Sequence, residues 1–417
     1  MLGALVAGCS LALVSVGLLN AQESGVSSGY DHFYNLEYDE AIADFQANAE
    51  QHPDDPNAWN HIGHAILYRA LFRSGALESE LVSGSNPFLH RDKAKMTLAD
   101  DAEFHDAVNK SIELSQARLK ENPNDPVALG ALGVAYGVRG NYNFLVRKAW
   151  VDALHDATDA RNAHKRLCEI KPDNVDARMI PGVYDYVVGS LPIGYRILGF
   201  IAGYHGSRHR GIQMLQTVAK EGKSNRVDAE ILLAAVFRRE HRPEEAIPLL
   251  EDLIRQFPRN YLLHFEIVQM YSDEGKKEEA LAEIARIWEL HRSGAPGFAS
   301  LAPEKIDYLE GNFLFWYDDL DQALLHMKRV TAKAHELDLN TAMMGWMRLG
   351  QIYDLQGHHP AATVAYRKAI AMAPRSEVGR ESRGYIAKPY RRKRATEPRP
   401  IPTEPRPEGS VNQASRP

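Results

Sequence analysis

The sequence predicts an all-α solenoid of stacked helix–turn–helix units, and three observations carry that prediction. The first is helical spacing in GWMRLGQIYDLQGHHPAATVAYRKAIAMAP, residues 345–374, where one face holds Trp346, Leu349, Gly350 and Tyr353. The second is punctuation, since Gly357 interrupts the pattern as a turn requires and Pro374 closes a second helix. The third is recurrence of the same spacing along the chain. These features predict a fold made of paired helices.

The second helix of this stretch is marked by Ala362, Tyr366 and Ala369. Small residues at Gly350 and Ala362 let the two helices approach closely, and the aromatic side chains fill the space around that contact. We therefore expect the pair to be a tightly packed hairpin.

Stretches with the same spacing occur at residues 38–53, 59–66, 129–142, 246–258, 271–280 and 311–323. One pair cannot bury its own apolar face, so neighbouring pairs must stack, and residues 29–375 hold about seven units. The period fails between Trp59 and Pro123, at Phe144–Pro172 and at Gly182–Gly211. There we expect inserted or lengthened helices that pack on the solenoid.

The spacing resembles that of the tetratricopeptide repeat (TPR), a helix–turn–helix unit of about 34 residues. Every position quoted above from residues 345–374 fits the TPR pattern. The resemblance implies a right-handed superhelix of TPR hairpins, with longer inserted helices in the first half. It also implies a protein that binds other proteins.

A second, shorter resemblance lies in GSLPIGYRILGFIAGYHGSRHRGIQML, residues 189–215. This segment resembles the middle of the eukaryotic tetratricopeptide-domain-39 and inclusion-body-clearance family. It shares a Leu-Pro pair, an apolar helix, a glycine-rich turn and a Gly-Ile-x-x-Leu helix start, but Ser207 stands where that family has an aspartate. The resemblance implies a non-enzymatic adaptor.

The N-terminal run Leu2–Leu19 carries no charge and is followed by Asn20-Ala21-Gln22. This pattern is typical of a secretory signal cleaved near Ala21, although no Lys or Arg precedes the run. Two alternatives stay open. The run is long enough for an uncleaved membrane anchor, and Val6-Ala7-Gly8-Cys9 resembles a bacterial lipobox. All three interpretations place the folded part outside the cytoplasm, secreted, periplasmic or membrane-anchored.

The composition excludes several kinds of chemistry. The 417 residues carry a net charge of −6, which argues against a nucleic-acid partner. Cys9 and Cys168 are the two cysteines, so a chain cleaved near Ala21 keeps one thiol and no disulfide framework. Cys168 is expected to pack within a helix. The sequence contains no HExxH or Rossmann spacing, and we expect no cofactor.

Two histidine-bearing stretches are candidates for chemistry. His61 and His64 lie three residues apart on a predicted helix, with His32 as a potential third metal ligand. The stretch YHGSRHRG, residues 204–211, carries His205, Arg208, His209 and Arg210 at the start of a predicted helix, where an anion can bind. In both places the sequence favours a structural role: polar groups inside the helix pair and a solvated turn.

The concave surface of a TPR solenoid is lined by first-helix positions beside the Trp/Leu/Gly pattern. That register includes Asn60, His64, Arg238 and Arg239. Further along it gives an aromatic and methionine-rich set: Phe265, Gln269, Tyr308, Asn312, Phe315, Trp316, Met347 and Gln351. We predict that this set forms a groove for an extended peptide or an amphipathic helix. The alternative is that several of its aromatic residues belong to the core.

The chain divides into residues 1–22, the signal or anchor; 23–225, the N-terminal repeats with insertions; 226–375, the C-terminal repeats; and 376–417, a tail. The tail is rich in Pro and Arg and repeats TEPRP, so we expect it to be disordered. Its basic cluster, Lys388–Arg394, solubilises the chain or touches an anionic surface.

These observations predict a non-enzymatic protein–protein interaction scaffold of an extracytoplasmic compartment. Its expected partner is a protein or peptide, and membrane association through the N-terminal segment is an open alternative. A second functional hypothesis is an accessory subunit whose groove presents a substrate to a partner enzyme. A third is a histidine-dependent metal-binding protein or enzyme that uses His61 and His64 or the YHGSRHRG turn.

Overall fold

The structure, a computed structural model, describes residues 24–77, 96–191 and 203–392. Within these ranges the chain is α-helical, and sixteen of seventeen α-helices form eight hairpins from α1/α2 to α15/α16. The helices are α1 Ser24–Tyr34, α2 Tyr38–Gln51, α3 Pro56–Arg73, α4 Leu98–Glu121, α5 Pro126–Tyr142, α6 Trp150–Ile170, α7 Met179–Gly189, α8 Arg208–Glu221, α9 Arg226–Arg239, α10 Pro243–Gln256, α11 Tyr261–Glu274, α12 Lys277–Arg292, α13 Pro303–Trp316, α14 Leu320–Ala332, α15 Leu339–Leu355, α16 His359–Met372 and α17 Glu377–Ala387.

Several hairpins begin at a capping residue that the sequence supplies. The Asp55 carboxylate accepts the backbone N–H of Asn57 at the start of α3, and the next residue is a proline at the first helical position. Asp125 does the same for α5, also before a proline. Asp338 accepts two backbone N–H groups at the start of α15. Each cap satisfies helix donors that otherwise have no partner, which fixes where the first helix of a hairpin starts.

The first helix of most hairpins carries a glycine at the closest approach to the second. A Cβ atom added there would lie 2.9 Å or less from a side chain of the facing helix, a distance that real Cβ atoms do not adopt. The sequence register that placed Gly350 in this role is therefore confirmed. Six hairpins share the feature, at Gly29, Gly63, Gly133, Gly182, Gly311 and Gly350.

The hydrophobic core runs along the stack between the helix layers. The largest cluster of buried side chains extends from Phe33 in α1 to Met270 in α11. Smaller clusters continue it through α13 and α15 to the last hairpin. The core therefore crosses residue 225 without a break.

The solenoid coils tightly enough for its first hairpin to touch the link between α10 and α11. Arg259 forms ion pairs with Asp31 at 2.7 Å and Glu37 at 2.8 Å. Asn260 donates to the Tyr34 carbonyl at 2.7 Å, and the Tyr34 and Phe257 rings lie 4.9 Å apart. Burial disfavours the ionised Glu37 carboxyl, but hydrogen bonds from Arg259 and His32 outweigh it and lower its pKa.

The three departures from the repeat period have different outcomes. Residues 144–172 contain the expected lengthened helix, α6, which is 21 residues long. A five-residue π-helix, Asn143–Arg147, precedes α6. Lys148 lies between the two helices, and its positive φ of 59° ends the π-helix. The insertion SGSNPFLHRDKAK, residues 83–95, lies outside the described residues. So does the centre of the segment that resembles the tetratricopeptide-domain-39 family, residues 192–202.

The tail was predicted to be disordered from residue 376, and its first part is instead a helix, α17. Ser376 caps it by accepting the Gly379 N–H at 3.0 Å. A terminal hairpin has an apolar face that needs cover, and here α17 packs on that face. The buried contacts involve Met343, Met347, Tyr366, Val378, Tyr385 and Ile386. Residues 393–417, with the two TEPRP motifs, lie outside the described residues.

No helix in the described ranges combines the length and apolar character needed to cross a bilayer. The apolar run Leu2–Leu19 is not among the described residues.

Candidate functional site

Aromatic and charged side chains come together between the C-terminal end of α13 and the middle of α15, and we call this site the C-terminal groove. Its rim is Trp316, at 53% exposure the one aromatic among the large exposed apolar side chains of the described residues. Phe315 lies beneath it, fully buried, with the two rings 5.2 Å apart and nearly perpendicular. The end of α13 thus presents one aromatic ring to solvent and holds it against another.

Arg348 of α15 forms the floor beside these rings. Its guanidinium lies 4.2 Å from the centre of the Phe315 ring and 5.1 Å from that of Trp316. Arg348 is 6% exposed and donates to the Gln351 side-chain oxygen at 2.7 Å. A cation held over aromatic faces and away from water interacts more strongly than an exposed one. Its Nε, however, is buried without an acceptor in the described part of the chain.

Asp354, three residues beyond Gln351 on α15, lies at the other end of the groove. Its side chain is fully buried and accepts three hydrogen bonds, each 2.7 Å long. The donors are His359 Nδ1, the Tyr366 hydroxyl and the backbone N–H of Tyr390. Burial and this carboxylate both raise the pKa of Tyr366. The contact with Asp354 also raises the pKa of His359.

The segment after α17, residues 388–392, lies in the groove, and we call it the strap. The Tyr390 ring packs 6.1 Å from Phe315, and its N–H bonds to Asp354. The Arg392 guanidinium lies 5.0 Å from the Phe315 ring, pairs with Asp318 at 2.8 Å and donates to the Phe315 carbonyl. The groove is thus occupied by a non-helical piece of the same chain.

The eight residues predicted to line an open groove have three different environments. Trp316 is exposed, and Phe265 and Gln269 are half-buried on α11. The other five are buried, so the prediction of an open lining was wrong for Tyr308, Asn312, Phe315, Met347 and Gln351. The physical reason is coverage: α17 packs over Met347, the strap and Arg348 cover Phe315, and Tyr308 joins the core between α13 and α14.

Four residues of the groove were missed by sequence reasoning: Arg348, Asp354, Tyr390 and Arg392. The first two follow from the register, because Arg348 adjoins Met347 and Asp354 lies one turn past Gln351. The other two belong to the basic cluster Lys388–Arg394, which the sequence assigned to solvent or an anionic surface. No local signal shows that this cluster returns to α13, since the contact joins residues far apart in sequence.

The histidine hypothesis for α3 meets a different environment. His61 lies 5.3 Å from the Tyr30 ring, and His64 lies 4.8 Å from Phe33 and 4.5 Å from Tyr68, all between ring centres. Burial, with the neighbouring His61, lowers the pKa of His64 to about 3. His32 instead contacts Glu37 at 2.6 Å. In the described ranges no group of three or more His, Cys, Asp or Glu side chains is placed to hold a metal ion.

The arginines of the remaining candidate sites form ion pairs with carboxylates of the same chain. In the YHGSRHRG turn, Arg208 pairs with Glu240 at 3.0 Å and Arg210 with the buried Asp185, so both cations have carboxylate partners. Arg238 likewise pairs with Glu266 at 3.1 Å. Cys168 is half-buried in α6, and burial raises the pKa of its thiol, which disfavours the nucleophilic thiolate.

A second recess of about 360 Å³ lies between α12, α13 and α14. Its polar groups bond to one another: Trp288 donates to Glu310 at 2.7 Å, and His326 contacts Asp307 at 2.8 Å. Asp307 also accepts from Arg329 at 3.1 Å. The recess thus has a balanced set of charges, whereas the C-terminal groove holds a bound segment.

Stacked helical hairpins, most of them closed by a glycine contact between their two helices, define an α-solenoid protein. The tetratricopeptide repeat family model matches residues 237–301, from the end of α9 to the loop before α13. The described chain is thus an all-α solenoid of helical hairpins that contains a tetratricopeptide repeat match over residues 237–301.

The solved structures similar to this chain include a TPR protein. YrrB, described as a TPR protein with an unusual peptide-binding site, is 13% identical over 66% of this chain and 99% of that one, with a TM-score of 0.31. The human IFIT1 dimer with m7Gppp-AAAA is 14% identical over 93% and 87%, with a TM-score of 0.45. Yeast Tom70 is 12% identical over 87% and 94%, with a TM-score of 0.40. No curated protein matches the chain.

Proposed function

We propose that this TPR protein is a scaffold that binds an extended peptide of a partner protein in the C-terminal groove. One observation carries the proposal: the groove holds a non-helical segment, the strap, through a backbone hydrogen bond, an aromatic contact and an ion pair. A peptide from another protein offers the same groups. Grooves that bind extended peptides combine main-chain hydrogen bonds with pockets for selected side chains in this way.

Trp316 is the side chain that a bound peptide would cover first. It is half-exposed at the rim, yet Arg348 and Phe315 fix its position from below. A rigid aromatic side chain offers a large contact area and loses little conformational entropy on binding. Interface residues of this kind often contribute about 2 kcal/mol or more when they are removed.

A random-peptide display library selected on the immobilised full chain tests the proposal. We expect selected peptides to bind the Trp316→Ala variant at least tenfold more weakly, since about 1.4 kcal/mol corresponds to a factor of ten. Val364→Ala is the matched control, because Val364 is 57% exposed on α16, away from the groove. Circular dichroism melting checks that both variants fold. Equal affinity for wild type and Trp316→Ala would show that binding takes place elsewhere.

Binding rather than catalysis is the proposed activity of the whole described chain. The groups that a reaction would use are unsuited to it: the pKa of Cys168 is raised, and the pKa of His64 is lowered to about 3 by burial. A general acid or base works best with a pKa near the operating pH. The groove contributes contacts of the kind that hold a ligand.

The proposal extends to the compartment, which the apolar run Leu2–Leu19 supports. This run and the polar stretch after Ala21 fit a cleaved secretory signal. We expect the mature chain to begin near Gln22, without lipid. The intact mass of the protein after expression in a secreting host measures this. A mass that corresponds to a diacylated chain starting at Cys9 would overturn the cleavage and would favour a membrane surface.

A further inference from the structure

We propose that the ligand of the C-terminal groove carries an aromatic residue followed two positions later by an arginine, and that the strap competes for the same place. The inference rests on the proposed function and adds the chemistry of the partner. It is based on the contacts that Tyr390 and Arg392 of the strap make with the groove. The partner is thus an extended protein segment of defined pattern, and the chain carries one copy of that pattern itself.

The strap has the alternation of an extended chain. Lys388, the first residue after α17, has φ −138° and ψ 107°, in the extended region. Tyr390 and Arg392 face the groove, whereas Lys388 and Arg391 are exposed. Successive side chains of an extended backbone point to opposite sides. Two residues that both contact the groove are therefore two positions apart in sequence.

The aromatic position is defined by two rings and a carboxylate. The Tyr390 ring lies 6.1 Å from Phe315 and 5.2 Å from Tyr385 of α17, the latter nearly perpendicular at 86°. Its N–H donates to the buried Asp354 at 2.7 Å. Edge-to-face packing favours an aromatic side chain at this place. The backbone bond fixes which residue of a peptide occupies it.

The basic position is built for arginine. The Arg392 guanidinium stacks 5.0 Å from the Phe315 ring, pairs with Asp318 at 2.8 Å and donates to the Phe315 carbonyl. A planar guanidinium can stack and donate in two directions at once, whereas the compact lysine ammonium cannot. We therefore expect lysine to be a poor substitute at this position.

The strap leaves some polar groups of the groove without a strong partner, so a better ligand can displace the strap. The Asp318 side chain in its ion pair is 73% exposed, and such pairs contribute little free energy. The Nε atoms of Arg348 and Arg392 are both buried without an acceptor in the described ranges. A buried donor without a partner costs free energy, so a peptide that supplies an oxygen to Arg348 binds better than the strap.

Fluorescence anisotropy with a labelled peptide AKPYRRK, residues 387–393, tests the inference on the full chain. We expect the double variant Tyr390→Ala/Arg392→Ala, whose strap no longer fills the groove, to bind this peptide at least tenfold more tightly than wild type. Lys388→Ala/Arg391→Ala is the matched control, because both side chains are exposed, and it should bind like wild type. Peptides with alanine at Tyr390 or lysine at Arg392 should bind the opened variant at least tenfold more weakly.

The outcomes separate this inference from the proposed function. Equal affinity for wild type and the opened variant, or no binding to either, would overturn the inference. If the display library still yields peptides that depend on Trp316, the groove binds peptides and only the pattern is wrong. If neither the library nor AKPYRRK gives Trp316-dependent binding, both proposals fail. Should the double variant unfold, Arg392→Ala alone provides the comparison, since that side chain contacts only the groove surface.

Discussion

Single residues organise this molecule mainly where two helices come closest. Gly350 of α15 faces Tyr366 of α16, and a Cβ atom at that position would lie 2.5 Å from the tyrosine ring. Tyr366 is fully buried and is held by its hydroxyl bond to Asp354 at 2.7 Å, so the ring has no room to move away. The glycine therefore determines both the packing of the last hairpin and the position of the carboxylate that binds the strap.

Substitution of this glycine should destabilise the protein. We expect Gly350→Ala to lower the free energy of unfolding by about 1–3 kcal/mol, the usual effect of overpacking a filled interior. Gly384→Ala is the control, because a Cβ atom there meets nothing within 4 Å and the residue lies in α17. It should be neutral or stabilise by about 0.5–1 kcal/mol, as alanine favours a helix. Thermal unfolding compares them, and equal midpoints would refute the hairpin register.

At the scale of elements, α17 connects the last hairpin to the groove. It covers the apolar face of α15 and α16, and its last turn delivers the strap. His359 at the start of α16 holds this turn in place, with Nδ1 at 2.7 Å from Asp354 and Nε2 at 3.3 Å from the Ile386 carbonyl. Both contacts are hydrogen bonds at the same time only when the imidazole is protonated.

The attachment of α17 should therefore weaken as the pH rises. The Asp354 contact raises the pKa of His359 above its usual value of about 6.5. A raised histidine pKa gives stability that is fully present below about pH 6.5 and is lost as the pH increases through the folded-state value. We expect faster hydrogen exchange in residues 377–387 above that pH, after correction for intrinsic rates.

Other histidines, such as His264 and His326, also contact carboxylates. The variant His359→Gln therefore separates the effect of His359 on the exchange of α17 from any effect of those histidines. Its exchange in α17 should not depend on pH beyond the intrinsic rate. If wild type and His359→Gln show the same dependence, the imidazole does not hold the helix.

At the scale of the whole molecule, the two ends of the solenoid differ because of how it coils. The first hairpin turns back to Arg259 and Phe257. The side chain of His64 in α3 is interior, and Tyr30 of α1 is half-buried. Tyr30 and Tyr68 accordingly have raised pKa values, caused by burial and then by Asp228. At the other end, within the described residues, the strap packs against α13 and α15. The molecule thus has one half with a closed interior and one half whose C-terminal groove holds the strap.

The sequence by itself determined the hairpins, because their signals are local. The spacing of Trp346, Gly350 and Tyr353, the turn at Gly357 and the proline-marked helix limits depend on residues within one unit. The fold class follows from them, and so does the place of Trp316 at the end of a first helix.

Which first-helix positions stay open was decided only by the tertiary structure. Met347 and Phe315 occupy the same kind of register position as Trp316, but α17 and the strap cover them. The helix over residues 377–387 escaped prediction because its stability comes from packing on a face that the local composition does not reveal. The strap escaped it because Tyr390 and Arg392 find their partners on α13, more than 70 residues away. Contacts between hairpins depend on how the solenoid coils and ends, and no periodicity within a hairpin encodes that.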